Sequence, residues 1–359
     1  MSGPKRTGTY SQRPLNLAPA VGDGSKPRTP VTWGIIPAFC AGGAHAVILV
    51  EDASGFSRKH GRCVATIGKF DGVHLGHQLI LDQLKGQARE KDLPALAIVI
   101  EPHPEEFFAG SGGDCPARLM DKQEKLRLLE EYGVDFCFVL RFDAEMSRMS
   151  AEDYIRGILV EGLGVAALIA GEDFRFGHRR TGDFGLLERE GREFDFSVHR
   201  TLTREVEGMR VSSTLVRQKL AQGDFAMAEK FLGRPFSIRG TVARGEQLGA
   251  KLGFPTCNIE LTHRRIPLHG IYACMVKTPR GEYPAAVSIG YRPTVTDSGK
   301  PVLEAHLLDF EGQLYGETIE VVFRQKIREE EKFASMDELQ RQIAADVETT
   351  RRVLTNAAF

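Results

Sequence analysis

Two hydrophobic patterns divide the chain. In its first part, short, mainly apolar runs at residues 63–67, 93–100, 134–140 and 166–170 are rich in β-branched and small apolar residues and read as buried strands. Between them apolar positions recur at helical spacing. Residues 78–84 show it directly after the first run, and residues 121–132 show it through Leu126, Leu128 and Leu129, with Gly133 as a stop. Ser150 caps a third helix, from 151 to about 159, with Glu152 and Asp153 in its first turn. Apolar strands alternating with helices predict an α/β doubly wound domain on a parallel sheet. Ligands of such sheets sit at the carboxyl ends of the strands, so the loops at Gly68, Pro102 and Gly171 are expected to meet.

Beyond Phe236 the pattern becomes short and alternating, at 238–242, 271–276, 285–289, 303–308 and 319–323, with turn residues between. This predicts an antiparallel all-β unit, a small barrel. Residues 336 to about 354 follow at helical spacing (Leu339, Ile343, Val347, Val353) and should pack across it. Gly233-Arg234-Pro235 marks the boundary, giving domains at 46–232 and 233–359.

Residues 1–45 differ from both. They are rich in Pro, Gly, Ser and Thr, with Lys5, Arg6, Arg13, Lys26 and Arg28 against Asp23 as sole acid, and read as a disordered extension. An organellar transit peptide or an upstream translation start fits the same composition. Residues 33–50 carry no formal charge, but Pro37, Gly42, Gly43 and His45 interrupt them. An edge strand before Glu51-Asp52 is expected there rather than a membrane helix.

A length of 359 residues and ordinary composition accommodate two or three cores, and a formal net charge of -1 gives no reason to expect nucleic acid as partner. The six cysteines are scattered without a C-x-x-C pair, which fits a reducing, cytoplasmic setting rather than a zinc ribbon or redox centre. Oligomeric state is left open, a homo-oligomer included.

The chemistry concentrates in loops. Between the first strand and helix lie Gly68, Phe70, Asp71, Gly72, His74, Gly76 and His77. Glycines let backbone N–H groups approach a ligand, a helix N-terminus attracts anions, and imidazoles donate to an oxygen gaining charge. A lone His-x-x-His is more often a pair of surface residues; the strand–turn–helix setting favours a phosphate site. The loop from Gly171 through Asp173, Phe174, Phe176, Arg179 and Arg180 offers turns, aromatic faces and cations, against the plain alternative of a surface loop. Ser212, Ser213 and Thr214 head a helix with Arg217 one turn in, which is either a second phosphate clamp or an ordinary hydroxyl N-cap.

In the β unit, Gly245, Gly249, Lys251, Gly253, Pro255, Thr256 and Asn258 form another glycine-rich loop, and no G-x-x-x-x-G-K-[ST] motif occurs anywhere. Thr256 and Asn258 alternate past a rigid proline, placing on one side two neutral oxygens suited to Mg²⁺ held with ATP phosphates. Glu304 lies inside an apolar strand and shares a face with His306. It is an ion-pair partner or a base, and its own neighbourhood does not separate the two.

Four signals in fixed order carry a resemblance: Gly68-x-Phe70-Asp71-Gly72-x-His74-x-Gly76-His77, Pro102-His103-Pro104, Gly171-x-Asp173-Phe174-x-Phe176-Gly177 and Ser212-Ser213-Thr214-x-x-Arg217. They resemble the adenylyltransferase half of bacterial bifunctional riboflavin kinase/FAD synthetases. The second part resembles the kinase half through Gly253-Phe254-Pro255-Thr256-x-Asn258, Gly270-x-Tyr272-Ala273, Arg292-Pro293-Thr294 and Glu304-x-His306-Leu307-x-Asp309-Phe310. The resemblance runs from about residue 61 to the C-terminus. It implies a Rossmann-like nucleotidyltransferase domain, then a six-stranded barrel with a C-terminal helix. It implies two ATP-dependent reactions: phosphorylation of riboflavin to FMN and adenylylation of FMN to FAD.

By the same resemblance Glu304 is the kinase base, Gly245, Gly249, Lys251, Gly253, Pro255, Thr256 and Asn258 form the kinase ATP loop, and Arg328 and Phe333 lie with Glu304 at riboflavin. In the other half His74, His77, Ser212, Ser213, Thr214 and Arg217 hold ATP together with Gly68, Phe70, Asp71 and Gly72. Pro102, His103, Gly171, Asp173, Phe174 and Phe176 flank FMN. Ala250 departs from the pattern, standing where the family commonly has Arg, with Lys251 supplying a charge one position later. A chain retaining one activity, or a non-catalytic flavin-binding regulator, is the alternative. The joint presence of His74, His77, Arg217, Thr256, Asn258 and Glu304 argues against the non-catalytic regulator.

Overall fold

The computed structural model describes residues 46–110, 113–245, 248–261, 265–291 and 301–356. The expectations for residues 1–45 and the Arg292-Pro293-Thr294 motif lie outside them.

In chain order the first part comprises β1 (Ile48–Val50), α1 (Phe56–His60), β2 (Cys63–Gly68), α2 (Leu75–Lys91), β3 (Ala95–Glu101), α3 (Pro104–Ala109), α4 (Lys122–Glu131) and β4 (Phe136–Arg141). It continues with α5 (Ala151–Asp153), running on as π-helical turns over Tyr154–Gly162, then β5 (Val165–Ala170), α6 (Phe184–Glu193) and β6 (Ser197–Arg200). A short hairpin, β7 (Glu205–Val206) and β8 (Met209–Arg210), leads to α7 (Ser213–Ala221) and α8 (Phe225–Leu232). Strands β1 to β6 form one sheet in the order β1-β4-β3-β2-β5-β6, every pair parallel. From β2 the chain steps outward to β3 and β4, then returns to β5 on the other side. The strand order thus reverses beside β2, where doubly wound sheets open a crevice at the carboxyl ends.

The second part comprises β9 (Ser237–Ala243), α9 (Leu248–Lys251), β10 (Cys257–Ile259), β11 (Gly270–Thr278), β12 (Gly281–Tyr291), β13 (Pro301–Leu307), β14 (Thr318–Arg328) and α10 (Met336–Asn356). Its six strands close a barrel in the order β10-β13-β12-β11-β14-β9. Along β13 the odd positions Leu303, Ala305 and Leu307 fill the interior, while Glu304 and His306 face outward. Helix α10 packs over β11, β12 and β14.

Apolar cores cover both faces of the parallel sheet, one including Leu96, Ile98 and Leu168, the other Val64, Ala97 and Ile169. A third unites the barrel interior with α7 and α8 through Val216, Leu220, Phe225 and Phe231. The expected strands and helices are present, and three of the elements that the pattern passed over have a clear cause. Pro104 read as loop because of its neighbour Pro102, yet proline is at home in the first turn of a helix, and α3 begins there. Asp224, just past the end of α7, caps α8, its carboxylate accepting from Met227 N–H at 3.1 Å, and a helix that starts so soon after another blurs the period of both. Strand β10 closes the barrel with only three residues, too few to show a period.

Candidate active sites

The turn after β2 meets the N-terminus of α2, a helix of 17 residues. His74 is the helix cap. Its Nδ1 accepts the His77 N–H at 3.3 Å, so the neutral ring carries its proton on Nε2. The two imidazoles stack 3.8 Å apart at 15°. Burial, with smaller contributions from Arg217 and Arg234 and against an opposing backbone hydrogen bond, lowers the His74 pKa to about 4. Burial, then His74, then Lys125 and Lys69, hold His77 well below the ordinary histidine range. Both rings are therefore neutral N–H donors at pH 7. The Nδ1 of His77 is buried and, among the described residues, has no hydrogen-bond partner. Gly72 must be glycine: its φ is 89°, and a Cβ there would lie 2.7 Å from Leu119 Cδ1.

Asp71 and the head of α7 close the turn from the far side. The buried Asp71 carboxylate accepts the Leu119 N–H at 3.0 Å and the Arg217 guanidinium, while Ser213 donates its hydroxyl to the Asp71 carbonyl at 2.8 Å. Arg217 also donates through Nε to Ala117 O, which leaves Nη1 as its uncommitted end. Ser212 is an N-cap, accepting from Leu215 N–H at 3.2 Å. Thr214 is exposed. The structure thus stacks His74 on His77 in this turn, ties Ser213 and Arg217 to it through Asp71, and gives Ser212 the capping role.

The loop after β3 sits beside it. His103 is buried, and burial, followed by Lys125 and Arg118, lowers its pKa to about 2. Lys125 is itself fully buried on α4, 2.6 Å from Glu101 and 3.5 Å from His103 Nε2. Arg118 bridges Glu101 at 2.7 Å and Glu106 at 2.5 Å. Sequence reasoning passed over this ionic cluster behind Pro102-His103. The signal was there: Lys125 falls on the apolar stripe of α4, three and four residues from Leu128 and Leu129, where an unpaired lysine would not be tolerated.

After β5, Phe174 stacks on Phe176 at 5.3 Å and 13°. Phe176 is buried against Tyr154, so Phe174 is the ring with an accessible edge. Asp173 is exposed, 3.9 Å from Arg210.

The second site lies on the outside of the barrel. Asn258 stands directly opposite Glu304 in the β10–β13 ladder, and Ser288 opposite Glu304 in β12–β13. The row continues through Ile271 to Arg328 on β14. Side chains at directly opposed positions share a face, so Arg328, Ser288, Glu304 and Asn258 lie in one line across the barrel wall. The loop before β10 is bent over it. His306 donates from Nδ1 to Pro255 O at 2.8 Å, Phe254 meets His306 edge-on at 5.5 Å, and Gln340 of α10 donates to Leu252 O at 3.0 Å. A Cβ at Gly249 would lie 3.3 Å from the Thr256 hydroxyl and 2.4 Å from Phe254 O. Lys251 is exposed. At the other end of the row the Arg328 guanidinium is bidentate on the buried Asp346 of α10, at 2.9 and 2.7 Å, and lies 5.7 Å from the Phe333 ring.

A family model of FAD synthetase matches residues 56–215, and one of riboflavin kinase matches residues 232–354. The bifunctional riboflavin kinase/FMN adenylyltransferase of Pseudomonas fluorescens is 44% identical over 310 residues, spanning 86% of this chain and 99% of its own. That of Escherichia coli K12 is 46% identical over 291 residues, spanning 80% and 92%. A crystal structure described as a macrolide-efflux protein of Streptococcus pneumoniae matches with a TM-score of 0.68 at 28% identity, over 85% of this chain and 99% of that one. Among the described residues no helix is long and apolar enough to cross a membrane. Two consecutive domain matches, and relatives that carry both parts at high identity, show that this chain belongs to the family of bifunctional riboflavin kinase/FMN adenylyltransferases.

Proposed function

We propose that residues 233–359 transfer the γ-phosphoryl group of ATP to riboflavin and that residues 46–232 transfer the adenylyl group of a second ATP to the resulting FMN. The observation that carries this reading is the presence on one chain of two separate sites of different chemistry. One is a neutral-histidine turn at a helix N-terminus, and the other a carboxylate facing an amide across a barrel ladder.

In the kinase step the riboflavin 5′-hydroxyl oxygen bonds to the γ-phosphorus, its proton passes to Glu304, and ADP departs with the bond it held. Alignment and charge neutralisation carry most of such a reaction. The Thr256 hydroxyl and the Asn258 amide oxygen are neutral hard ligands beside that carboxylate, a donor set that fits Mg²⁺. Among the described residues no group of three or more His, Cys, Asp or Glu is arranged to hold a metal, which supports an ion that arrives with the ATP phosphates. When bound it would neutralise phosphate charge. Gly245 leaves room for Asn258, and His306 fixes the Pro255 carbonyl behind Thr256.

In the adenylyl step an FMN phosphate oxygen bonds to the α-phosphorus and the bond to the β-phosphate oxygen breaks, releasing pyrophosphate. That phosphate is already ionised at neutral pH, so no base is required. His74 Nε2–H, His77, the free end of Arg217 and the α2 N-terminus supply donors to the charge that develops on the leaving group. The accessible edge of Phe174 supports a flavin contact, with Asp173 on the same loop. We place both reactions in the cytoplasm.

Incubating the full chain with riboflavin, ATP and Mg²⁺ and separating the products by chromatography tests the reading. FMN should appear first and FAD after it. FMN accumulating without FAD would overturn the adenylyl assignment, and FAD formed only from added FMN would overturn the kinase assignment.

A further inference from the structure

The turn after β2 holds three residues at positive φ within four positions: Phe70 at 49°, Gly72 at 89° and Val73 at 36°. A β-branched residue in that region is costly and persists only where its surroundings fix it. What fixes Val73 comes from beyond α8 and from α2. Arg234 Nη2 donates to Gly72 O at 2.9 Å, and Nη1 donates to Val73 O at 3.3 Å and Leu232 O at 3.4 Å. Gln78 takes the same pair, its amide donating to Val73 O at 2.9 Å and Leu232 O at 2.8 Å.

A trans peptide points its C=O and N–H in opposite directions. Drawing the Val73 carbonyl onto a guanidinium therefore turns the His74 N–H the other way, away from Arg234. A carbonyl facing a bound phosphate would repel it; this arrangement removes that carbonyl. Among the described residues, every hydrogen bond of Arg234 goes to a main-chain carbonyl. The nearest acid acting on it, Glu124, is already held by both Nε and Nη2 of Arg127, at 3.0 and 2.6 Å. Among the described residues Arg234 makes no direct ion pair, and its charge behind the turn favours an anion in front.

We infer that Arg234 is a positioning residue of the adenylyl-transfer site, pinning Gly72 and Val73 so that the turn presents N–H groups to phosphate. The residue lies within the 232–354 stretch matched by the riboflavin kinase model, so the first site is completed by the opening residues of the second domain. The inference rests on the reading of this turn as the ATP site given above.

The test uses the full chain and reads both reactions from one preparation. Arg234→Ala should lower kcat/KM for FMN adenylylation about 10²-fold, as a displacement of the order of 1 Å at a site does. Riboflavin phosphorylation, at a distant site, should stay within about twofold. Arg234→Lys keeps the charge without the fork that spans three carbonyls, and should recover part of the loss. Adenylylation by Arg234→Ala within about twofold of wild type would overturn the inference. Should Arg234→Ala fail to fold, Arg234→Lys decides: a selective fall in adenylylation supports positioning, and an equal fall in both reactions marks a mere strut. Calorimetric titration with pyrophosphate separates this inference from the functional reading. If wild type makes no FAD, loss of pyrophosphate binding in the variant still supports the clamp, and unchanged binding overturns it.

Discussion

Asp71 and Arg217 form a buried ion pair between the turn after β2 and α7, one turn in from its head, joining residues 146 positions apart. The Asp71 side chain is 1% exposed and Arg217 16%, so neither charge has water to fall back on. The same carboxylate anchors Leu119 N–H at 3.0 Å. The pair thus sets where the one uncommitted end of Arg217 points, and it connects the fold of this half to its chemistry.

Arg217→Ala should leave Asp71 charged and buried alone, at a cost of about 3 kcal/mol in urea unfolding. FAD formation should be lost with it. Asp71→Asn combined with Arg217→Met should restore much of the stability and none of the FAD formation. An Arg217→Ala protein that unfolds at the wild-type urea concentration would show that the pair contributes nothing.

Glu304→Gln keeps the shape of the side chain and removes the proton acceptor. Riboflavin phosphorylation should fall about 10²-fold or more, while adenylylation of supplied FMN continues at the wild-type rate. His77→Ala should give the reverse pattern. Parallel assays with riboflavin and with FMN as substrate read both variants, and loss of both reactions in either would refute the division between two sites.

The architecture was legible because long periodic segments dominate it: the apolar runs at β2, β3, β4 and β5, and the amphipathic α4 and α10. Hydrophobic period reports burial, and burial decides these elements. Motif residues were legible as a set. What each does was less so. Ser212 caps a helix and Phe176 lies in the core, because a motif residue can serve the backbone or the packing that supports a neighbour rather than the ligand. The cluster of Glu101, Glu106, Arg118 and Lys125 and the carbonyl clamp of Arg234 escaped the sequence reading for a common reason. Their partners lie at separations that no local period encodes, such as 162 residues between Arg234 and Gly72.

Acid should destabilise the adenylyl half specifically. His74, His77 and His103 all have folded-state pKa values below the ordinary 6.5, at about 4 for His74 and about 2 for His103. Below pH 6.5 the unfolded chain binds protons that the folded one refuses, so stability falls as pH falls, and for His74 the loss is complete near pH 4. Between pH 6.5 and 5 His74 and His103 each contribute a loss of about 2 kcal/mol, and His77 acts in the same direction. Urea unfolding followed from pH 7.5 to 5 should show this decline. His103→Gln, which cannot titrate, should lose about 2 kcal/mol less across the same interval than wild type. An equal decline in both proteins would mean that His103 is not held neutral.

Gly245 offers a way to disturb the kinase site without touching its carboxylate. A Cβ at this position would lie 2.2 Å from Asn258 Nδ2 and 2.7 Å from its Oδ1. The amide is the far end of a side chain that can swing, so Gly245→Ala should displace it at little cost to the fold, within about 0.5 kcal/mol. The displaced oxygen no longer stands opposite Glu304, and riboflavin phosphorylation should drop about 10²-fold with FMN adenylylation unchanged. Asn258→Ala should give the same loss, and the double variant should be no worse than either single one, because both remove one interaction. Losses that multiply in the double variant would show that Gly245 acts on the reaction by another route than Asn258.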